Sequence, residues 1–192
     1  DINSGDSGAA PSYQDYTYGE SGVALRTNSG FARTNYLFLG WSQSPTGTTV
    51  SSPFIPTAAT TLYARWAGAT YSVSFNSNGG SLSPANMSYT TGGATLTLPS
   101  AGTRNGFNFS GWYAAADGSG TSISNGYAPT TDVTLYAKWT AGTYVVTFNT
   151  NTGSGTAMTN LSITAGTAAT LTANTYTKTG YTFAGWNTAA DG

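Results

Sequence analysis

Cysteine and histidine are absent from the 192 residues, glutamate occurs once, as Glu20, and only 7% of positions are charged. Each absence removes a class of chemistry. Without cysteine there is no disulfide framework and no thiolate nucleophile or ligand. Without histidine the commonest general base and triad partner is missing, and no pair of acids recurs at matching places along the chain. The expectation is a protein that is not an enzyme, with no catalytic residue, no cofactor and no metal site. Asp117-Gly118-Ser119-Gly120 looks like a fragment of a calcium loop, but it lacks the spaced acids a hard cation needs and reads as a turn. A net charge of −1 supplies no footprint for nucleic acid or an anionic membrane surface. No apolar run reaches the roughly 18 residues of a membrane span, so no insertion is expected within this segment, and the polar start DINSGDSG is not a signal peptide. Serine, threonine, asparagine and glycine carry the solubility. A cysteine-free, lysine-poor, Thr- and Gly-rich chain fits an exported bacterial protein, extracellular or at the cell surface.

What is present is periodic. Trp41, Trp112 and Trp186 each follow a glycine in an aromatic stretch (YLFLGW, FNFSGW, YTFAGW) and stand 71 and 74 residues apart. Trp66 and Trp139 close the runs LYARW and LYAKW, 73 apart, and YSVSFN at Tyr71 recurs as YVVTFN at Tyr144 with the same spacing. The chain is a tandem array of one small module. Its copies cover 1–66 (divergent, without most of its first strand), 71–139 (complete) and 144–192 (cut short on its C-terminal side). The four-residue connectors Ala67–Thr70 and Thr140–Thr143 are too short to act as flexible coils, so neighbouring copies are expected to abut in a rod.

Within the complete copy, Tyr71, Val73 and Phe75 alternate with polar residues as a half-buried strand does. Asn78-Gly79-Gly80 supplies a turn, Asn86 to Thr90 a weak strand, and Ala94 to Leu98 (ATLTL) a further alternation stopped by Pro99. Phe107 and Phe109 open the next strand, where Gly111 suggests a bulge that re-aims Trp112. Val133, Leu135, Ala137 and Trp139 form the buried face of a closing strand, and no stretch has a helical period. The expected core is Trp41, Trp66, Trp112, Trp139, Trp186, Phe75, Phe109, Phe148, Phe183 and Leu135, since a module of about 73 residues must rely on large aromatics for burial.

The runs YSVSFNSNGG, GFNFSGWYAAADGSGT and VTLYAKW, in this order, resemble the Listeria–Bacteroides repeat, also called the B repeat of internalin-type surface proteins. The resemblance implies a mostly β, at most α+β, architecture of tandem β-grasp-like modules related to the ubiquitin and SUMO folds. It also implies a home in secreted or wall-attached bacterial proteins, often as stalk segments of adhesins. The function that follows is an extracellular structural segment: stalk, spacer or fibre. The competing reading is a carbohydrate- or protein-binding adhesin module, with Tyr13, Tyr16 and Tyr18 as contacts to a host or environmental glycan or protein. A third is a filament subunit.

That third reading comes from the ends. Aligning Ile2-Asn3-Ser4 with Phe75-Asn76-Ser77, and Pro11 with Pro84, leaves copy 1 without the strand that Tyr71 to Phe75 forms in copy 2. Either a longer chain supplies it or an adjacent chain donates it head to tail, which makes neighbouring modules the expected partners. Register also groups the cations: Arg33, Arg104 and Lys178 share one place, Arg65 and Lys138 another, as stems packed over aromatic surface would. An isopeptide crosslink from Lys138 or Lys178 is the alternative. The sequons at Asn86, Asn108 and Asn160 receive no role in so Asn- and Ser-rich a chain.

Overall fold

The computed structural model describes residues 3–27, 30–82 and 86–191. Asp1, Ile2, Pro84 and Gly192, which the alignment of copies used, lie outside them. Among the described residues the regular elements are strands, and the fold is mostly β. In chain order they are β1 (Ser7–Gly8), β2 (Phe31–Ala32), β3 (Tyr36–Ser42), β4 (Tyr63–Gly68), β5 (Thr70–Asn76), β6 (Asn86–Thr90), β7 (Phe107–Tyr113), β8 (Val133–Ala141), β9 (Thr143–Val146) and β10 (Leu161–Thr164). The pairs β1–β2, β3–β4, β5–β6, β7–β8 and β9–β10 are antiparallel. The complete copy carries a four-stranded sheet in the order β6-β5-β8-β7.

Alternation decides which faces are buried. Val73 and Phe75 of β5 are buried while Ser72 and Asn76 are exposed, and in β8 Leu135 and Ala137 are buried between exposed Thr134 and Lys138. Val73, Phe75 and Leu135, so hidden, contribute roughly 1.5 to 3 kcal/mol each, and the single methyl of Ala137 less. The expected bulge is present twice. Register shifts between Phe109 and Gly111 against β8, and between Phe38 and Gly40 against β4, with the glycines at φ of 126° and 131° that a side chain would resist.

Two expectations are corrected. Ala94 to Leu98 does not form a strand: Leu96 makes a lone bridge with Tyr127, and the next ladder position goes to a side chain, Leu98 N–H donating to Asn125 Oδ1 at 2.8 Å. The connectors are one residue long, not four, because β4 and β8 run on through Gly68 and Ala141 and leave only Ala69 and Gly142 unpaired in a ladder.

The chain forms two compact units, Asp1–Phe75 with Pro84–Leu98 and Ile123–Leu135, and Asn76–Ser83 with Pro99–Ser122 and Tyr136–Gly192. In the first, Phe31, Trp41 and Ala64 make a buried cluster flanked by Leu25, Phe38, Val50, Leu62 and Trp66. Phe31 sits at its centre, 5.6 Å from the Phe38 and Trp41 rings and 5.8 Å from Trp66. In the second, Trp112 is 2% exposed and Phe148 packs against Trp186 with its ring tilted, centroids 4.6 Å apart.

Candidate functional site

The glycine-flanked tryptophans do the same thing in every copy. Their indole N–H groups donate to backbone carbonyls 13 to 15 residues upstream: Trp41 to Arg26 at 2.6 Å, Trp112 to Pro99 at 2.7 Å, Trp186 to Thr172 at 3.1 Å. Trp41 and Trp112 are buried, Trp66, Trp139 and Trp186 half-buried, and Trp139 donates to Ser77 O at 2.8 Å. A polar atom satisfied inside an apolar contact is how tryptophan packs, and Trp112 leaves no free face for a sugar.

Phe109 and Phe183 depart from the expected core, at 37% and 49% exposed. Phe109 meets Trp112 and Trp139 edge-on at 5.5 and 5.6 Å, but Gly102 stands where copy 1 has Phe31 to back the equivalent Phe38. The Phe183 ring centroid lies 5.0 Å from that of Trp186. Phe75, Phe148 and Leu135 are buried.

The cations are tied to the scaffold. Arg33 lies over Tyr36 at 3.8 Å, Arg104 over Phe107 at 4.2 Å and Lys178 over Tyr181 at 4.6 Å, and Lys138 lies over Tyr113 at 5.0 Å. Arg65 donates to Pro45 O at 2.7 Å and Lys138 to Gly118 O at 2.9 Å. Asp117 turns its carboxylate onto the Ser119 N–H at 2.9 Å, and Asp6 accepts from Thr34 N–H at 2.8 and 3.0 Å. These hydrogen bonds, with lesser help from Lys138 and Arg33, hold both carboxyls below the usual carboxylate value.

The sequence places Asn78 in a turn but does not show what its side chain ties together. Asn78 sits at a φ of 46° and its amide donates to Ala116 O (3.2 Å) and Ala137 O (2.9 Å), tying the turn to the loop and the closing strand. Asn151 repeats this with Ala190 O at 2.8 Å, and Asn3 with Pro45 O at 2.9 Å and Ala64 O at 3.0 Å. Asn3 therefore corresponds to Asn78, not to Asn76, and Asn3-Ser4 is the turn of copy 1. The offset of 75 here, against 71 at Trp41 and 73 at Trp66, hid the match from a constant-period alignment. The signal was an asparagine at a turn, the residue that best tolerates positive φ after glycine.

The junctions between copies repeat as closely. Ala69 N–H donates to Asn35 O at 2.9 Å and Ala69 O accepts from Thr91 N–H at 2.9 Å. Gly142 N–H donates to Gly106 O and Gly142 O accepts from Ala165 N–H, both at 2.8 Å. One linker residue thus serves both neighbours, its N–H donating to the copy before and its C=O accepting from the copy after. Tyr71 Oη reaches Asn35 Oδ1 at 3.1 Å, and a Cβ on Gly68 would lie 2.0 Å from Thr91 O.

Tyr13, Tyr16 and Tyr18 are brought together along a groove of about 710 Å³ found in copy 1, with Val23, Leu25 and Trp41 also lining it. Tyr13 and Tyr18 are exposed and Tyr16 is half-buried, its hydroxyl donating to Glu20 O at 3.3 Å.

Comparison with known proteins places this geometry. The Listeria-Bacteroides repeat domain matches residues 1–65, 71–138 and 144–192. A protein of Evansella cellulosilytica described as a Gly-rich membrane protein is 34% identical over 169 residues, 80% of this chain and 18% of that protein. A second membrane protein of the same organism is 34% identical over 177 residues, covering 83% of this chain and 24% of its own length. Internalin H of Listeria monocytogenes is 33% identical over 132 residues, 64% of this chain and 23% of its own. The chain spans less than a quarter of the length of each of these relatives. No solved structure matches it.

Proposed function

The chain belongs to the Listeria-Bacteroides repeat family, and from that premise we propose that it is a structural segment, a stalk or spacer, of a bacterial surface protein. The observation that carries this reading is the repeated one-residue linker, whose N–H and C=O are each taken by a different neighbour. A spacer needs orientation to persist from one copy to the next, and a linker with no free backbone group resists bending. The membrane-protein descriptions of two relatives, and the internalin identity of a third, support a place at the cell surface. The register-locked side chains are spent on packing, turns and loops, which suits a passive role. The second-first-fourth-third strand order of the complete copy supports the β-grasp-like reading, with the segment between β6 and β7 irregular.

Small-angle scattering on arrays of increasing copy number tests the proposal. A module of about 73 residues has a radius of gyration near 11 Å and a diameter of about 30 Å, so each added copy is expected to lengthen the particle by about 30 Å. A maximum dimension that stays flat as copies are added overturns the rod.

A further inference from the structure

Asparagine stands directly before glycine three times, at Asn78, Asn105 and Asn125, all in copy 2. That pairing carries a reaction of its own. The glycine's backbone nitrogen can attack the asparagine side-chain carbonyl carbon, and a residue without Cβ hinders the approach least. The reaction needs an unheld side-chain amide and an unheld backbone N–H, and the structure distributes both unequally.

The Asn78 amide is held by Ala116 O at 3.2 Å and Ala137 O at 2.9 Å. At Asn125 the side-chain oxygen accepts from Leu98 N–H at 2.8 Å, and the nitrogen that must attack, that of Gly126, donates to Leu96 O at 2.9 Å. Asn105 differs on both counts. It is exposed, and among the described residues its amide makes no hydrogen bond and the Gly106 N–H donates to nothing. The pair forms the corner of a turn closed by Phe107 N–H on Arg104 O at 2.9 Å, with Gly106 at a φ of 83°. In the other copies this turn reads Arg33-Thr34-Asn35-Tyr36 and Lys178-Thr179-Gly180-Tyr181, closed at 3.0 Å in both, with threonine at the place of Asn105. The corner in copy 2 is also half of a junction. Gly106 O accepts from Gly142 N–H at 2.8 Å, the bond by which the second linker holds copy 2.

We propose that Asn105 is a self-modifying site, whose slow conversion to isoaspartate releases the joint between copies 2 and 3. The Gly106 nitrogen forms a bond to Asn105 Cγ, the Cγ–Nδ2 bond breaks, and the side-chain nitrogen takes up the proton that Gly106 gives up and leaves as ammonia. Water then opens the five-membered imide. Breaking its N–Cγ bond restores the main chain as aspartate. Breaking its bond to the main-chain carbonyl leaves isoaspartate, in which the chain runs through Cβ and Cγ and gains one backbone atom. A corner lengthened in this way moves Gly106 O off the Gly142 N–H, and the linker loses its hold on the copy before it.

The test ages the 192-residue chain at mildly alkaline pH, where the backbone nitrogen gives up its proton more readily, and follows it by peptide mapping with mass spectrometry and by amide exchange. Conversion at Asn105 is expected to exceed that at Asn78 and at Asn125 by about tenfold or more, since each of those must first break hydrogen bonds. The Gly142 N–H is expected to lose protection in the isoaspartyl fraction. Asn105→Thr, the residue of the other two copies, should stay unconverted there and keep Gly142 protected. Freshly prepared Asn105→Asp, which brings the charge without the extra backbone atom, should keep that protection too. Faster conversion at Asn78 or Asn125 than at Asn105 overturns the proposal, as does an isoaspartyl fraction whose Gly142 N–H stays protected. The stalk reading is judged apart from this, by scattering on unaged arrays.

Discussion

Trp112 shows why one residue type recurs at one register. Its ring is 2% exposed and its N–H is spent on Pro99 O, so Trp112→Ala opens a cavity and also orphans a carbonyl. We expect a loss of about 3 to 5 kcal/mol, read by chemical denaturation, against a smaller loss for half-buried Trp186→Ala. An unchanged denaturation midpoint for Trp112→Ala would mean that the indole does not pack as described. Asn78→Ala removes two donors to Ala116 O and Ala137 O from a residue at positive φ, and about 1 to 3 kcal/mol should go with them. Asn78→Gly, which keeps the φ but not the donors, should recover only the conformational part. Titration enters at the acid end alone. Asp6 and Asp117 have carboxyls held below the usual carboxylate value by backbone hydrogen bonds, so their stabilisation is complete above the usual value and is lost as pH falls through the lowered one. With no histidine in the chain, thermal melts should be flat from about pH 5 to 8 and decline only below about 4, the decline shrinking in Asp117→Asn.

Among elements, the strand-to-strand step at each junction is the least tolerant. Gly68 passes so close to Thr91 that Gly68→Val cannot be housed without moving backbone, and the Ala69 bonds to Asn35 and Thr91 should break with it. Amide exchange is the direct readout: the Ala69 and Thr91 N–H groups should lose protection in Gly68→Val while amides of β7 keep theirs, and equal protection would show that the junction absorbs the side chain. The strands themselves were legible in the sequence. Tyr71 to Asn76 and Val133 to Trp139 declare themselves by alternation, Asn86 to Thr90 more weakly, and Gly111 by its place in an aromatic run. Leu96 misled because its alternation was real but its partner, Tyr127, lies across a loop and offers a single bridge. The junctions were misjudged for a different reason. Gly68, Ala69, Ala141 and Gly142 have no hydrophobic signature, so the ladder that carries β4 and β8 past their tryptophans leaves no trace in composition. The groove was half legible. Its three tyrosines stood out as a cluster, but Val23, Leu25 and Trp41, which line the groove with them, carry no sign of it in the sequence.

At the scale of the whole chain, the shared linkers make stability a nearest-neighbour property, as in other repeat arrays. Copy 2 takes part in both junctions, through Thr91 N–H at one and Gly106 O at the other, whereas copies 1 and 3 each take part in one within this segment. A lesion in the middle should therefore cost more than a lesion at an end. Small proteins absorb about 0.7 kcal/mol of enthalpy per residue on melting near 60 °C, so one independent copy is worth about 50 kcal/mol of the calorimetric total. If the copies melt as beads, Trp112→Ala removes about that amount from the main transition and leaves the rest where it was. If the linkers couple them, the loss exceeds one copy's share, and the remaining transition shifts down because each neighbour has lost an interface. Trp41→Ala, the matching lesion in copy 1, should shift the remaining transition less, since it disturbs a single junction. Scanning calorimetry on the three proteins separates the cases, and equal, purely local losses from Trp41→Ala and Trp112→Ala would refute the coupling on which a stiff spacer depends.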